Sequence, residues 1–326
     1  MTRARDNSFN PFNNQVAGKN FIINGAFDHW QRGNSFSLSG GASTSNYTAD
    51  RWSAGVNAGL VVSRVTGINV GSNYGLRMQR TAGNTNAGDN FVVQVIESNM
   101  VSSLAGQIVT LSFYLRKGAD YSGAAVYCTP RFGTGTDEGV SPGYGSSWTG
   151  HNQIVHTVIP TTSSIKYTKT FTVPAGTKEM MLLMGPQSMT GTAGTNDWIE
   201  FEQIQLELGS NATQFSRAGG TIGGELLLCQ RYYQGYRYFH ALKAANAYAR
   251  MTFNYMCTMR GTPSLAYRDS SANQSRITSY SAVDAASPNR QPLQVIGTDA
   301  NTFLILPNNT DGDPSFFINI EASAEL

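Results

Sequence analysis

The feature that most constrains this chain is a series of short runs in which apolar and polar residues alternate. Gly- and Asn-rich turns separate the runs, and almost nothing at helical spacing lies between them. Successive side chains of a strand point to opposite faces, so such runs bury one face of a sheet and leave the other polar. Residues 91–97, 108–115, 124–127, 169–173, 180–184 and 198–206 all read as strands, the last with the clearest pattern. In the last run Ile199, Phe201, Gln203 and Gln205 share one face, and Glu200, Glu202, Ile204 and Leu206 the other. The apolar residues change face halfway along it, which calls for a bulge or a sandwich corner. Turn clusters at 40–43, 82–86 and 191–196 punctuate the pattern. Many short strands without intervening helices predict a sandwich or jelly roll from Asn20 to about Phe215.

Residues 216–224, with four glycines, form a boundary, and 225–233 are good helix formers. Strand patterns return at 248–257, 264–267, 293–296, 302–306 and 316–320. The expected fold is therefore all-β: a jelly-roll β-sandwich over 19–217, then a short helix and a smaller antiparallel β domain over 218–326. So small a sheet buries little by itself, and packing against a partner subunit would complete it. Residues 1–18 are polar and aperiodic, either a disordered arm or an attachment peptide that orders on a partner, with Arg3, Arg5, Phe9 and Phe12 as its contact residues.

Charged residues are only 13% of the chain, yet 16 Phe and 15 Tyr supply core material, which argues against charge-driven disorder. A net charge of +2 argues against electrostatically led nucleic-acid binding. Cys128, Cys229 and Cys257 are too few and too scattered for a disulfide framework, so free thiols are expected. The start has basic residues without an apolar segment behind them, and no stretch approaches the ~18 apolar residues of a membrane span. A chain with an extracellular character and no secretion signal fits a virion protein, assembled in the host cytoplasm and released by lysis.

Asn20-Phe21-Ile22-Ile23-Asn24-Gly25-Ala26-Phe27-Asp28-His29-Trp30-Gln31-Arg32-Gly33, followed by Tyr47-Thr48-Ala49-Asp50-Arg51-Trp52, resembles the opening of phage and prophage virion proteins of the tail-fibre-like family. A second signature, Ile204-Gln205-Leu206-Glu207-Leu208-Gly209-Ser210-Asn211-Ala212-Thr213-Gln214-Phe215, runs into Glu225-Leu226-Leu227-Leu228-Cys229-Gln230-Arg231-Tyr232-Tyr233, again as in such sequences. The Asn24–Asp28 opening and the Gln205-Leu206-Glu207 close also resemble the ends of jelly-roll carbohydrate-binding modules. The resemblance covers about two-thirds of the chain. It implies other virion proteins of tail or capsid as partners, a homotrimer, and a structural calcium site near Asn24, Asp28 and Glu207. No coiled-coil heptads or collagen-like repeats supply a stalk, so a short projection is expected.

Catalytic patterns are missing. There is no H-E-x-x-H, G-x-S-x-G or P-loop, and no cofactor is expected beyond the possible calcium. His29, His151, His156 and His240 read as solvated. Asn309-Thr310-Asp311-Gly312-Asp313 starts like a calcium loop but lacks the required Gly and terminal Glu. The close carboxylate pairs, Asp137/Glu138 and Glu200/Glu202, also read as solvated rather than as a glycosidase pair. Glycan binding is the better expectation. The long aperiodic stretch 133–150 holds Tyr144 and Trp148 as stacking rings, with Asp137 to fix hydroxyls. The alternative is that these rings cover a core edge or an intersubunit contact. Trp30, Trp52 and Trp198 read as core. Tyr232, Tyr233, Tyr236, Tyr238 and Phe239 read as an oligomer interface. The expectation is a non-enzymatic short tail fibre that attaches by its arm and binds host surface glycan. A head-decoration or head-fibre protein is the alternative, and a virion depolymerase the third reading.

Overall fold

A computed structural model of the chain describes residues 17–39, 46–56, 59–86, 88, 90–140, 147–242, 251–268, 277–280, 287–290, 293–298, 302–307 and 315–326. The attachment-arm residues Arg3, Arg5, Phe9 and Phe12 lie outside the described residues, as do Tyr144 and the 309–313 turn. The chain forms two compact units, Met1–Leu226 with Leu326, and Leu227–Glu325.

The first unit is a jelly-roll sandwich. Its strands are β1 (Ser35–Leu38), β2 (Asn46–Tyr47), β3 (Ser53–Val56), β4 (Leu60–Thr66), β5 (Tyr74–Arg80) and β6 (Asn90–Ile96). After a single helical turn, α1 (Ser98–Val101), come β7 (Ile108–Lys117), β8 (Ala125–Gly133), β9 (Asn152–Gln153) and β10 (Thr157–Val158). The last are β11 (Ile165–Thr172), β12 (Glu179–Gln187) and β13 (Trp198–Leu208). Sheet A has the order β1-β4-β5-β13-β7-β11; sheet B has the order β10-β8-β12-β6-β3-β2, with β9 beside β8. Apart from the β2–β3, β4–β5 and β8–β9 pairs, neighbouring strands are not consecutive in sequence, as in a jelly roll, and β13 closes the sandwich between β5 and β7.

The core lies between the sheets and follows the alternation. Leu111, Phe113 and Leu115 of β7, Leu76 and Met78 of β5, and Ile199 and Phe201 of β13 meet Val92 of β6 and Met180, Leu182 and Met184 of β12. Each fully buried side chain of this size contributes roughly 1.5–3 kcal/mol. The expected change of face in β13 is a bulge: its register with β7 shifts between Glu202 and Gln205, and Gln203 takes φ 50°. The extra residue carries Ile204 and Leu206 back to the core side that Ile199 and Phe201 occupy.

The two signatures of the chain meet at this bulge. Asn20 Oδ1 accepts the Ile22 and Leu206 N–H groups at 2.9 and 3.0 Å, and its Nδ2 donates to the Ile204 carbonyl at 3.0 Å. The Ile204 N–H returns a bond to the Gly25 carbonyl at 2.8 Å, and a side chain at Gly25 would collide with the Ile204 carbonyl oxygen. Asn24, at φ 56°, donates from Nδ2 to the His29 and Asp50 carbonyls, and its own carbonyl accepts the Trp52 indole N–H at 3.2 Å. Glu225 closes the knot by accepting the Asn24 N–H and, at 2.6 Å, the Gly219 N–H. The motifs that carry the resemblance are therefore a folding device that ties the first described turn to the last sandwich strand.

Helix α2 (Ile222–Gln230) begins three residues before the expected 225–233. It stops at Gln230 because Tyr233 already opens the next strand. The second unit holds β14 (Tyr233–Leu242), β15 (Met251–Asn254), β16 (Ser264–Arg268), β17 (Ile277–Tyr280), β18 (Ser287–Arg290), β19 (Leu293–Thr298), β20 (Thr302–Pro307) and β21 (Ser315–Ser323). One sheet runs β14-β21-β17-β18 with β16 also on β21, and a second runs β15-β20-β19. The tyrosine cluster corrects the interface expectation. Tyr232 and Tyr233 are buried within the chain and have no surface to offer a partner. The Tyr236 hydroxyl donates to Gln234 Oε1 at 2.7 Å. The side chains of Tyr238 and Phe239 lie outside the described residues. Cys128, Cys229 and Cys257 are free thiols, as expected, the first two buried. Among the described residues no helix is long and apolar enough to cross a membrane.

Candidate functional site

The outer face of sheet B is apolar. Phe91, Val93 and Val95 of β6 and Met181 and Leu183 of β12 point away from the main core and form a second one under Trp148 and Val140. Trp148 is 4% exposed, and its indole N–H donates to the Gly139 carbonyl at 2.8 Å. The ring therefore has no free face on which a pyranose could stack, which corrects the sugar-stacking expectation in favour of a covered core edge. The loop bearing it is pinned at its base. Asp137, at φ 50°, accepts the Ser98 N–H and hydroxyl at 2.9 and 2.8 Å and so satisfies the start of α1 rather than standing free. Glu138 accepts the Thr149 N–H and hydroxyl, both at 2.7 Å.

Glu179 of β12 is fully buried beside this loop, where one oxygen accepts the Glu138 N–H at 2.9 Å and its carboxyl faces the Glu138 carboxylate. Burial pushes its carboxyl up to about 7, with the Glu138 and Asp137 charges acting in the same direction against the Glu138 N–H. The Thr149 hydroxyl and N–H hold Glu138 below the usual carboxylate range. The folded-state value of Glu179 lies above the unfolded one, so its protonated form favours the fold. Stability is then full below about pH 4.5 and falls as pH rises to about 7. Glu179→Gln is expected to remove this slope and to exceed the wild type at pH 8 by an amount on the order of 1–2 kcal/mol. Urea midpoints at pH 5 and pH 8 check it, and parallel pH dependence of the two proteins would contradict it.

The remaining sequence candidates are engaged separately. Asp28 is paired with Arg217 Nε at 2.7 Å and accepts Asn73 Nδ2 at 3.1 Å. Glu207 is bound by the Thr213 N–H and hydroxyl at 2.8 and 2.6 Å and by Gln205 at 2.7 Å. Asn24 serves the knot. Among the described residues no group of three or more His, Cys, Asp or Glu is placed to hold a metal ion. His151 and His156 are half-buried rather than solvated, and burial lowers both pKa values.

The outer face of sheet A differs in kind. Glu200 of β13 stands directly opposite Arg77 of β5 on one side and Arg116 of β7 on the other. Far from being solvated, its carboxylate is buried and accepts both guanidinium groups, Arg77 Nε at 2.6 Å and Arg116 Nε on the second oxygen. The guanidinium carbons lie 4.3 and 5.4 Å from the ring centroid of Trp198, which is half-buried on this outer face rather than in the core. Gly118 makes room for that ring, since a Cβ there would lie 2.7 Å from the indole. One row along, Glu202 is opposite Tyr114, which in turn pairs with Lys166. Glu202 is also buried, accepting the Ile68 and Asn69 N–H groups at 3.1 Å each and Asn69 Nδ2 at 2.9 Å. The 67–73 loop thus arches over the sheet beside the arginine pair. Arg77 and Arg116 remain 28% and 24% exposed. Arg77 Nη1, both Nη groups of Arg116 and the Tyr114 hydroxyl have no partner among the described residues. This is a preorganised, partly open platform of one indole, one phenol and two fixed guanidinium groups.

No family model matches the chain, and no curated protein sequence does. Among solved structures, the enzymatically active domain of tailspike protein 4 of bacteriophage CBA120 is similar at 12% identity and TM-score 0.33, over 59% of this chain and 22% of that one. A CBM4 carbohydrate-binding module is similar at 15% identity and TM-score 0.33, over 58% of this chain and 99% of that one. The CBM22-1 xylan-binding domain of Paenibacillus barcinonensis Xyn10C is similar at 15% identity and TM-score 0.33, over 60% and 98%. Likeness at this level speaks to no function.

Proposed function

We propose that this chain is a non-enzymatic structural protein of a bacteriophage particle, a short tail fibre whose sandwich binds host surface saccharide on the outer face of sheet A. The observation that carries the saccharide reading is the Trp198–Arg77–Arg116 platform, with its free N–H donors beside Tyr114. Saccharide sites combine an aromatic surface with a few fixed polar groups that set orientation, and this face supplies both. The virion reading rests on the Asn20–Gly33 and Ile204–Phe215 motifs, and attachment through residues 1–18 and a homotrimeric assembly belong to the same proposal. The carboxylate geometry supports the non-enzymatic part. Glu200, Glu202, Glu138 and Asp137 are each held by protein donors, and Glu179 lies against Glu138 rather than across a gap that could admit a glycosidic bond. Purified chain is expected to adsorb to host cells and to block infection, and immunogold labelling is expected at the tail. Failure to adsorb or to compete would overturn the saccharide role, and labelling on the head would replace the fibre with a capsid decoration.

A further inference from the structure

We propose that the sheet A platform selects saccharides carrying an acidic group, a carboxylate above all; this rests on the saccharide reading and narrows its ligand class. The argument comes from the balance of donors and acceptors. Both oxygens of Glu200 are taken by Arg77 and Arg116, and both oxygens of Glu202 by the 67–73 loop. Each of these buried carboxylates already accepts three protein bonds, so little acceptor capacity is left on this face for sugar hydroxyls. The unengaged charged groups are donors: Arg77 Nη1 and the two Nη groups of Arg116, with the hydroxyls of Tyr114 and of Ser63, which stands opposite Arg77 on β4, able to act either way. A neutral pyranose presents hydroxyl donors as well as acceptors, and many of those donors would meet other donors here. A carboxylate presents acceptors only.

The fork geometry points the same way. Arg116 is anchored through Nε alone, so its terminal nitrogens remain as the parallel pair that matches a carboxylate in bidentate fashion. Glu200 fixes the guanidinium and Trp198 stacks against it, so little side-chain freedom is lost on binding. The charge balance permits an anion. Arg77, Arg116 and Lys166 stand on this face against Glu200, Glu202 and Glu207, and Lys19 pairs with Glu207 at 3.7 Å, four cations to three carboxylates.

The test is calorimetric titration of the full chain with oligosaccharides bearing galacturonate, glucuronate or N-acetylneuraminate. Each is compared with its carboxyl-reduced neutral counterpart and with sodium sulfate. At least one acidic oligosaccharide is expected to bind roughly tenfold or more tightly than its reduced form. That preference should weaken as salt rises from 50 to 500 mM. Arg116→Gln is expected to abolish the preference, and Arg116→Lys to recover only part of it, because a lysine keeps the charge and loses the fork. Glu200 retains Arg77 in these variants, and unchanged melting temperatures establish that they fold. Equal binding of acidic and reduced forms, a preference that survives Arg116→Gln, or sulfate binding as tightly as the oligosaccharide would overturn the inference and leave the saccharide reading standing. Absence of binding by every acidic and neutral saccharide would overturn both.

Discussion

Arg80→Ala is expected to lower the unfolding free energy by about 3–5 kcal/mol, the largest effect of any single polar substitution in the sandwich. The Arg80 side chain is 1% exposed and its partner Asp197 is fully buried, joined at 3.0 Å. From the same guanidinium, Nη1 reaches Ser122 Oγ at 2.9 Å, and Nη2 reaches the Asn84, Asn86 and Gly191 carbonyls at 2.8, 3.0 and 3.1 Å. One side chain therefore ties the 81–86 and 188–197 loops to the end of β5. Alanine would leave the Asp197 charge with only the Ser122 N–H and hydroxyl, and would take the guanidinium donor from the Asn86 and Gly191 carbonyls, while the Asn84 carbonyl keeps the Ala193 N–H. Asp197→Asn, which keeps hydrogen bonding and removes the charge, should cost less. Urea denaturation reads both; a loss below about 1 kcal/mol for Arg80→Ala would mean that the loops hold without it.

Trp148→Ala is expected to cost about 3–5 kcal/mol, the usual range for emptying a large aromatic site in a packed core. The effect should arise locally. Phe91, Val93, Val95, Met181 and Leu183 would lose their cover on the outer face of sheet B. The variant should therefore also bind a hydrophobic dye that the wild type does not. Saccharide binding should survive in whatever fraction stays folded, because the arginine platform belongs to the other sheet. Unchanged stability together with lost saccharide binding would return the 133–150 loop to the role its composition first gave it.

The contrast between these two faces marks how far the amino-acid order alone could lead. The strand pattern places β6, β7, β8, β11, β12 and β13, and its change of face calls for a bulge or a corner in β13, of which the structure has the bulge, because burial imposes period two. Strand β4 escapes it because Ser63 and Arg64 interrupt its apolar residues, whereas β5 carries the signal, with Leu76 and Met78 alternating with Arg77 and Gln79. The candidate site escapes a local reading for a related reason. An aromatic-bearing, glycine-rich loop looks like a functional loop whether its ring points outward or folds back under a long-range contact. Nothing local to Trp148 records Met181 or Leu183. The strand motif puts Trp198 in the core, yet the contrary signal lies in the same run: Trp198 shares its face with Glu200 and Glu202, not with Ile199 and Phe201. The pairing of Arg77 and Arg116 through Glu200 depends on strand order, which no local pattern encodes. The Asn20–Gly33 motif is legible as a unit, but its work, closing a turn over Ile204, appears only once the two ends are in contact.

The central claim is that saccharide is held on the outer face of sheet A, and Trp198→Ala tests it most directly. Full-length wild type and variant, matched for melting temperature, would be titrated with the saccharide that the wild type binds best. A loss of about tenfold or more is expected, because the indole orients both guanidinium groups as well as lining the face. Undiminished affinity in Trp198→Ala would contradict the account.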